Sequence, residues 1–235
     1  MILLNKIRMG IYALFLTNIS AFKLKKLNSS KQKKEIITEY SHKLFSKLNI
    51  EVKVKNKNNL PANGQFLVVL NHRSIIDPLI VQIALEDTDI FGLWISKQEL
   101  RNSLFFGAFV RHAGTITLDR DSKSKSDFFK RIKVAVKEGN SIFIFPEGTR
   151  NKEKTELSSF KKGSQMIALK NKLPILPIYI RTNADDALQL ALQDNSKTVE
   201  IEVEIGELID YKTKLGVEEL YRSTFKLQAI NKESE

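Results

Sequence analysis

Three short stretches of this chain carry side chains able to do chemistry at the end of an apolar run, and a fourth stands out for its prolines. The first is Asn71-His72-Arg73-Ser74-Ile75-Ile76-Asp77, which comes straight after Phe66–Leu70. On a continuous helix His72 and Asp77 would point about 140° apart and never meet. Asp77-Pro78, however, suits an N-cap and first helical position, so His72 is free to lie in the preceding loop and fold back on the carboxylate. A carboxylate on one imidazole nitrogen fixes the tautomer and makes the other nitrogen a better base. The chain has no Cys and no Gly-x-Ser-x-Gly. With no such nucleophile beside it, the base would act on the hydroxyl of a substrate. A capping Asp and a satisfied loop His would leave the same pattern.

The second stretch, Gly114-Thr115-Ile116-Thr117-Leu118-Asp119-Arg120, delivers Arg120 at the end of an apolar run. Pairing with Asp119 or Asp121 on the surface is its ordinary alternative. The third, Phe145-Pro146-Glu147-Gly148-Thr149-Arg150, turns at a strand end and places Glu147 and Arg150 there. A Pro-Glu-Gly turn needs no function, but an Arg fork matches phosphate. The fourth, Leu173-Pro174-Ile175-Leu176-Pro177-Ile178, brackets a strand entry with prolines and carries no reactive group. It is either the wall of an apolar channel or an edge strand.

Such groups need a frame, and the hydrophobic periodicity supplies one. Alternation over Ile50–Lys55 and short apolar runs at Phe66–Leu70, Gly92–Ile95, Thr115–Leu118, Ser141–Phe145, Ile175–Ile180 and Val199–Ile205 predict strands. Helical patterns at Pro78–Leu85, Leu100–Val110, Asp127–Val136, Phe160–Leu169 and Ala184–Leu192 fall between them. The alternation predicts an α/β fold, a largely parallel or mixed sheet flanked by helices. Val199–Glu207 alternates apolar residues with Glu, as on an antiparallel edge with one solvated face. No motif is placed between Val199 and Glu235.

Ahead of this body the charge is lopsided. The 235 residues hold 38 Lys and Arg against 27 Asp and Glu, a net +11. Met1–Lys34 contributes Lys6, Arg8, Lys23, Lys25, Lys26, Lys31, Lys33 and Lys34 and no acid, so the remainder is nearly neutral. A nucleic-acid binder would carry its basic stripe on the folded body, so no nucleic-acid partner is expected. Met9–Phe22 is uncharged and, as a helix of about 21 Å, too short to cross about 30 Å of hydrocarbon. Basic flanks favour a helix lying in an anionic membrane interface. Lys-Leu-Lys-Lys after Phe22 stands where a signal peptide would show small residues, and a transit peptide would be richer in Arg and Ser. A helix packed on the protein's own core is the remaining alternative. A second amphipathic helix is expected over Lys31–Leu48. Residues 1–49 thus form a helical, membrane-interface segment ahead of an α/β domain at 50–235. The absence of Cys and the three His exclude disulfide scaffolds and argue against a structural zinc site.

In this order and spacing the four blocks resemble the glycerolipid acyltransferases, and most of all the bacterial lysophosphatidic acid acyltransferases, over roughly Phe66–Ile180. Ser96-Lys97-Gln98-Glu99-Leu100 and Phe160-Lys161-Lys162-Gly163 resemble the spacers of the same family. The resemblance implies direct acyl transfer: His72 takes the proton of the acceptor hydroxyl as that oxygen attacks the thioester of acyl-CoA or acyl carrier protein, and Asp77 orients the imidazole. It implies phosphate and polyol binding by Gly114, Arg120, Glu147, Gly148, Thr149 and Arg150, with Lys97 a further phosphate candidate. It implies no metal or resident cofactor. Lysophosphatidate, glycerol-3-phosphate and lyso-ornithine lipid all suit the pattern as acceptors, and so does a membrane-binding homologue without activity. Membrane lipid and a thioester co-substrate are the expected partners, on the cytoplasmic face of a membrane.

Overall fold

Three sequence stretches are buried at every position: β2 (Leu67–Leu70), β5 (Ser141–Ile144) and β6 (Ile175–Ile180). Strands of that kind are covered on both faces, as in a parallel sheet sandwiched between helices. The computed structural model describes residues 2–118, 125–153 and 155–228. In chain order it runs α1 (Ile2–Lys25), α2 (Ser30–Leu48), β1 (Ile50–Lys55), β2, α3 (Asp77–Ala84), β3 (Gly92–Lys97), α4 (Gln98–Arg101), α5 (Gly107–Ala113), β4 (Thr115–Leu118), α6 (Ser126–Lys137), β5, α7 (Gly163–Asn171), β6, α8 (Ala184–Gln193), β7 (Val199–Ile205) and α9 (Val217–Phe225).

The seven strands form one sheet in the order β1-β7-β6-β2-β5-β3-β4. β2 to β6 are mutually parallel; β7 is antiparallel to β6, and β1 pairs in parallel with β7. The expected mixed α/β sheet is therefore present. Alternate residues of each strand face opposite layers. Val68, Leu70 and Phe143 meet residues of α1, α2, α3 and α8 in one core, whereas Leu67, Val69, Ile142 and Ile144 meet α6, α7 and α9 in the other.

Two edge assignments need correcting. β7 is antiparallel but not an edge: it lies between β6 and β1, and β1 takes the edge. Its glutamates face a neighbour as well as solvent, since Lys55 pairs with Glu202 at 2.6 Å and Lys53 reaches Glu200 at 3.8 Å. β6 is interior too, between β2 and β7. Its Pro177 is tolerated because the ladder to β7 stops at Ile178; one place further along, Pro177 only accepts, from the Gly206 N–H at 3.0 Å. The helix expected over Leu100–Val110 breaks into α4 and α5, because Ser103 turns the chain: its hydroxyl accepts the Phe106 N–H and its carbonyl the Gly107 N–H.

The N-terminal helix is longer than its uncharged stretch, because Lys and Arg continue a helix well and no Pro interrupts it. One face, with Met9, Leu16, Ser20 and Leu24, is buried against the body. On the opposite stripe Leu4, Ile7, Ile11, Phe15 and Phe22 remain 50–68 % exposed. Core packing and an outward apolar surface are thus two faces of one helix. Among the described residues no helix is long and apolar enough to cross a membrane. Thr17 and Tyr40 hydroxyls, 3.0 Å apart, join α1 to α2, and both helices contribute to the core shared with β2 and α3.

Candidate active site

The register of the central strands decides which loops meet. Leu67 stands opposite Ile142 and Val69 opposite Ile144 in the parallel pair β2 and β5. Continued past both strand ends, that pairing sets His72 level with Glu147. The two are bonded: the His72 backbone N–H donates to Glu147 Oε1 at 2.6 Å. The other carboxylate oxygen accepts the Ser158 N–H at 2.8 Å, and the His72 carbonyl accepts the Asn151 N–H at 2.7 Å. Glu147 is 3 % exposed. Burial pushes its carboxyl up to about 7, against the opposing pull of the two N–H donors and of Arg73.

Within the loop after β2 the carboxylate of Asp77 is the organising group. His72 Nδ1 lies 2.8 Å from Asp77 Oδ2. The same oxygen accepts the N–H of Arg73 at 2.7 Å and of Ser74 at 2.8 Å. Asp77 is not the N-cap of α3: that position falls to Ile76, and the carboxylate, in the first turn, reaches back to the loop instead of capping the helix. This loop is what folds His72 onto it. The imidazole stacks on Phe145, ring centroids 4.0 Å apart, and Phe145 stacks on Trp94 at 5.0 Å. With Nδ1 engaged and the ring held flat, Nε2 is the nitrogen left to take a proton. The imidazole side chain is 20 % exposed, against 1 % for Asp77, so the base reaches solvent while its partner does not.

One residue earlier, Asn71 fixes where the loop begins. Its side chain bonds both backbone groups of Ile180, accepting the N–H at 2.8 Å and donating to the C=O at 3.0 Å. Its own N–H donates to the hydroxyl of Tyr221, which donates in turn to the Ile178 carbonyl at 2.6 Å. Tyr221 is fully buried on α9, a helix absent from the expected elements. Its sequence signal is the spacing of four between Val217, Tyr221 and Phe225, after Gly216 and with Glu218 and Glu219 in the first turn. Arg73 also serves the frame, bonding the carbonyls of Thr155 and Glu156 at 3.3 and 2.7 Å.

The remaining predicted residues are distributed unevenly. Lys97 ends β3 and Thr149 and Arg150 follow β5, all three exposed at the same C-terminal end of the parallel strands as His72. That is where ligands sit in open α/β sheets. Gly148 turns this loop at φ +76°, its N–H bonded to the Phe145 carbonyl. Gly114 is not brought to this end. It precedes β4, at the opposite end of the strand, and its φ of +84° and the 2.9 Å from an added Cβ to Leu93 account for a glycine there. Arg120 lies outside the described residues. The geometry therefore assembles a base, its carboxylate and a set of exposed cations, and among the described residues no serine hydroxyl is bonded to the imidazole.

A family model described as Acyltransferase matches residues 51–181. The 1-acyl-sn-glycerol-3-phosphate acyltransferase of Bacillus subtilis is 32 % identical over 126 residues, 54 % of this chain and 60 % of that protein. The enzyme of the same name from Helicobacter pylori is 36 % identical over 128 residues, 52 % of this chain and 53 % of its own length. The chain thus spans between half and two thirds of these relatives. The crystal structure of the 1-acyl-sn-glycerophosphate acyltransferase PlsC from Thermotoga maritima superposes with a TM-score of 0.68, covering 96 % of this chain and 94 % of that one. At 23 % identity that likeness speaks for the fold. With the family model covering more than half of its length, over the strands and loops that hold His72, Asp77 and Glu147, the chain belongs to the acyltransferase family.

Proposed function

We propose that this chain transfers a fatty acyl group from acyl-CoA or acyl carrier protein to the free hydroxyl of 1-acylglycerol-3-phosphate, giving phosphatidate for phospholipid synthesis. The observation that carries the reading is the His72–Asp77 pair at 2.8 Å, which leaves Nε2 of a partly exposed imidazole to take a proton, with no serine or threonine hydroxyl bonded to that ring among the described residues. The acceptor hydroxyl gives its proton to Nε2 as its oxygen bonds to the thioester carbonyl carbon. Collapse of the tetrahedral adduct breaks the C–S bond, and the thiolate leaves with the proton held by the imidazolium. Asp77 stabilises that imidazolium and holds the tautomer. The thioester is a co-substrate, so the reading asks for no resident metal or cofactor.

Arg150, Thr149, Gly148 and Lys97 are assigned to the acceptor's phosphate, since they sit at the same end of the sheet as the base. Arg120 joins them in the reading by family resemblance. Glu147 acts on the loop backbone more directly than on substrate, and Gly114 supports β4. The outward stripe of α1 supports attachment to the cytoplasmic face of a membrane, peripheral or monotopic, where the acceptor resides. The test is the purified full chain with palmitoyl-CoA or palmitoyl-acyl carrier protein against lysophosphatidate, glycerol-3-phosphate and lyso-ornithine lipid, read by mass spectrometry. Phosphatidate from lysophosphatidate is the expected product. Acylation of lyso-ornithine lipid alone would move the acceptor assignment, and no product from any pair would leave a binding protein.

A further inference from the structure

α1 and the end of α2 form a cleft of about 430 Å³, away from the base. Arg8, Ile11, Tyr12 and Phe15 line it from α1, with Lys47 from the last turn of α2 and Asn195 from the loop before β7. Lys47 and Asn195 precede the two strands at one edge of the sheet, whereas His72 follows the fourth strand from that edge. The wall is tied down: Asn195 Nδ2 donates to the Lys47 carbonyl and Asn49 Nδ2 to the Asn195 carbonyl, each at 3.5 Å.

Three features identify its occupant. Ile11 and Phe15 are 65 % and 68 % exposed and belong to the outward apolar stripe, so the cleft opens onto the surface assigned to the bilayer. Arg8 and Lys47 have no carboxylate within 4 Å among the described residues, whereas Lys23, Lys31, Lys43, Lys55 and Lys57 are each paired. Lys47 Nζ stands 5.8 Å from the ring of Tyr12, another residue of the cleft wall. Two unpaired cations on an apolar slot match a phosphate joined to an acyl chain. A free phosphate would leave the apolar wall unused, and a zwitterionic lipid would bring its own cation to the two already there.

We propose that this cleft holds one anionic phospholipid, its phosphate met by Arg8 and Lys47 and its acyl chain laid along Ile11 and Phe15. The site rests on the membrane reading of α1 given above, and it ties the residence of the protein to lipid class instead of to surface charge alone.

The experiment uses the full chain on vesicles doped with phosphatidate, or phosphatidylcholine, carrying a photoreactive acyl chain, with labelled peptides mapped by mass spectrometry. Phosphatidate should label the Met9–Phe15 region, and Arg8→Gln/Lys47→Gln should lower that labelling about a hundredfold, as loss of two charge-assisted contacts of about tenfold each implies. Lys25→Gln/Lys26→Gln, which removes the same charge elsewhere, should leave it within about twofold, since screened charges at a distance contribute little. Equal labelling by phosphatidylcholine, or an unchanged Arg8→Gln/Lys47→Gln variant, would overturn the site. Competition by millimolar inorganic phosphate would make it a phosphate site and not a lipid site. Failure of the wild type to sediment with any vesicle would instead sink the membrane reading. The cleft is then judged by titrating monomeric dihexanoylphosphatidate into the same variants, where equal affinity in all of them rejects it.

Discussion

The loops that follow β2 and β5 end at the same level of the sheet, yet they are held in opposite ways. After β2, Asn71, His72, Arg73 and Ser74 each have backbone or side chain bonded to Ile180, Tyr221, Glu147 or Asp77, and the imidazole lies against Phe145. After β5, Pro146, Glu147 and Asn151 are buried, but Thr149 and Arg150 between them stand exposed, and no carboxylate pairs with Arg150 among the described residues. The difference suits the division of labour in the proposed acyl transfer. A base must sit within a few tenths of an ångström of the proton it removes before substrate arrives, whereas a phosphate can draw a long cation into place on binding. A bonded loop for the base and an open one for the anion is the arrangement such a reaction needs.

Substitutions in the two loops should therefore fail differently. His72→Ala should lower turnover by about a hundredfold to ten-thousandfold without unfolding the chain, since it removes the proposed general base but few structural bonds. Steady-state rates with a circular dichroism melt check this, and near wild-type turnover would remove the mechanism. Arg150→Ala should cost about tenfold to a hundredfold, the worth of one charge-assisted contact, and only with a phosphate-bearing acceptor. Equal loss with a phosphate-free acceptor would contradict the assignment and make the β5 loop part of the frame.

Glu147 joins the two loops, and its protonation makes the join sensitive to pH. Glu147→Ala strips the acceptor from two backbone N–H groups, at a cost of about 1–3 kcal/mol. Its carboxyl stands at about 7 in the fold against an ordinary 4.5, so between those values the folded state holds a proton that the unfolded state has lost. That contribution is complete below 4.5 and gone above 7. Urea titrations of wild type and Glu147→Ala should thus differ more at pH 5 than at pH 8. A gap that widens with pH would mean that the two N–H donors outweigh burial.

How much of this can be read from the chain depends on the distance over which each fact is decided. The strands and the His72–Asp77 pair are local: apolar runs of four to seven residues and an Asp-Pro helix start announce themselves. The pairing of Glu147 with the His72 backbone is not, because it needs β5 to lie beside β2, and nothing within either strand says so. The same holds for the interior position of β7, whose alternating glutamates look like a solvated edge until β1 supplies Lys53 and Lys55 across from them. Gly114 shows the converse: its place in a family block suggests binding, whereas its positive φ and the clash that a Cβ there would make with Leu93 give it a structural reason to be glycine. The outer face of α1 was legible as apolar, but its inner face was not, because apolar residues on both sides of a helix cancel the one-sided pattern that marks a packed one.

Tyr221 offers the smallest effect and the sharpest question about how far the frame of the base extends. Tyr221→Phe keeps the ring that packs against Phe160 and Phe225, at 5.2 and 4.8 Å, so no cavity opens. It deletes one oxygen that serves the Asn71 N–H and the Ile178 carbonyl together. Asn71 retains its two side-chain bonds to Ile180, so the strand end should stay in place and stability should fall by only about 1 kcal/mol. Turnover is the more telling reading. If the hydroxyl helps to aim the His72 loop, kcat should drop severalfold while KM for both substrates holds, and the pH profile of kcat should keep its shape because no titrating group in the pair is altered. A melt lowered by the expected amount with kcat unchanged would show that Asn71 alone sets the loop, and that α9 merely closes the second core.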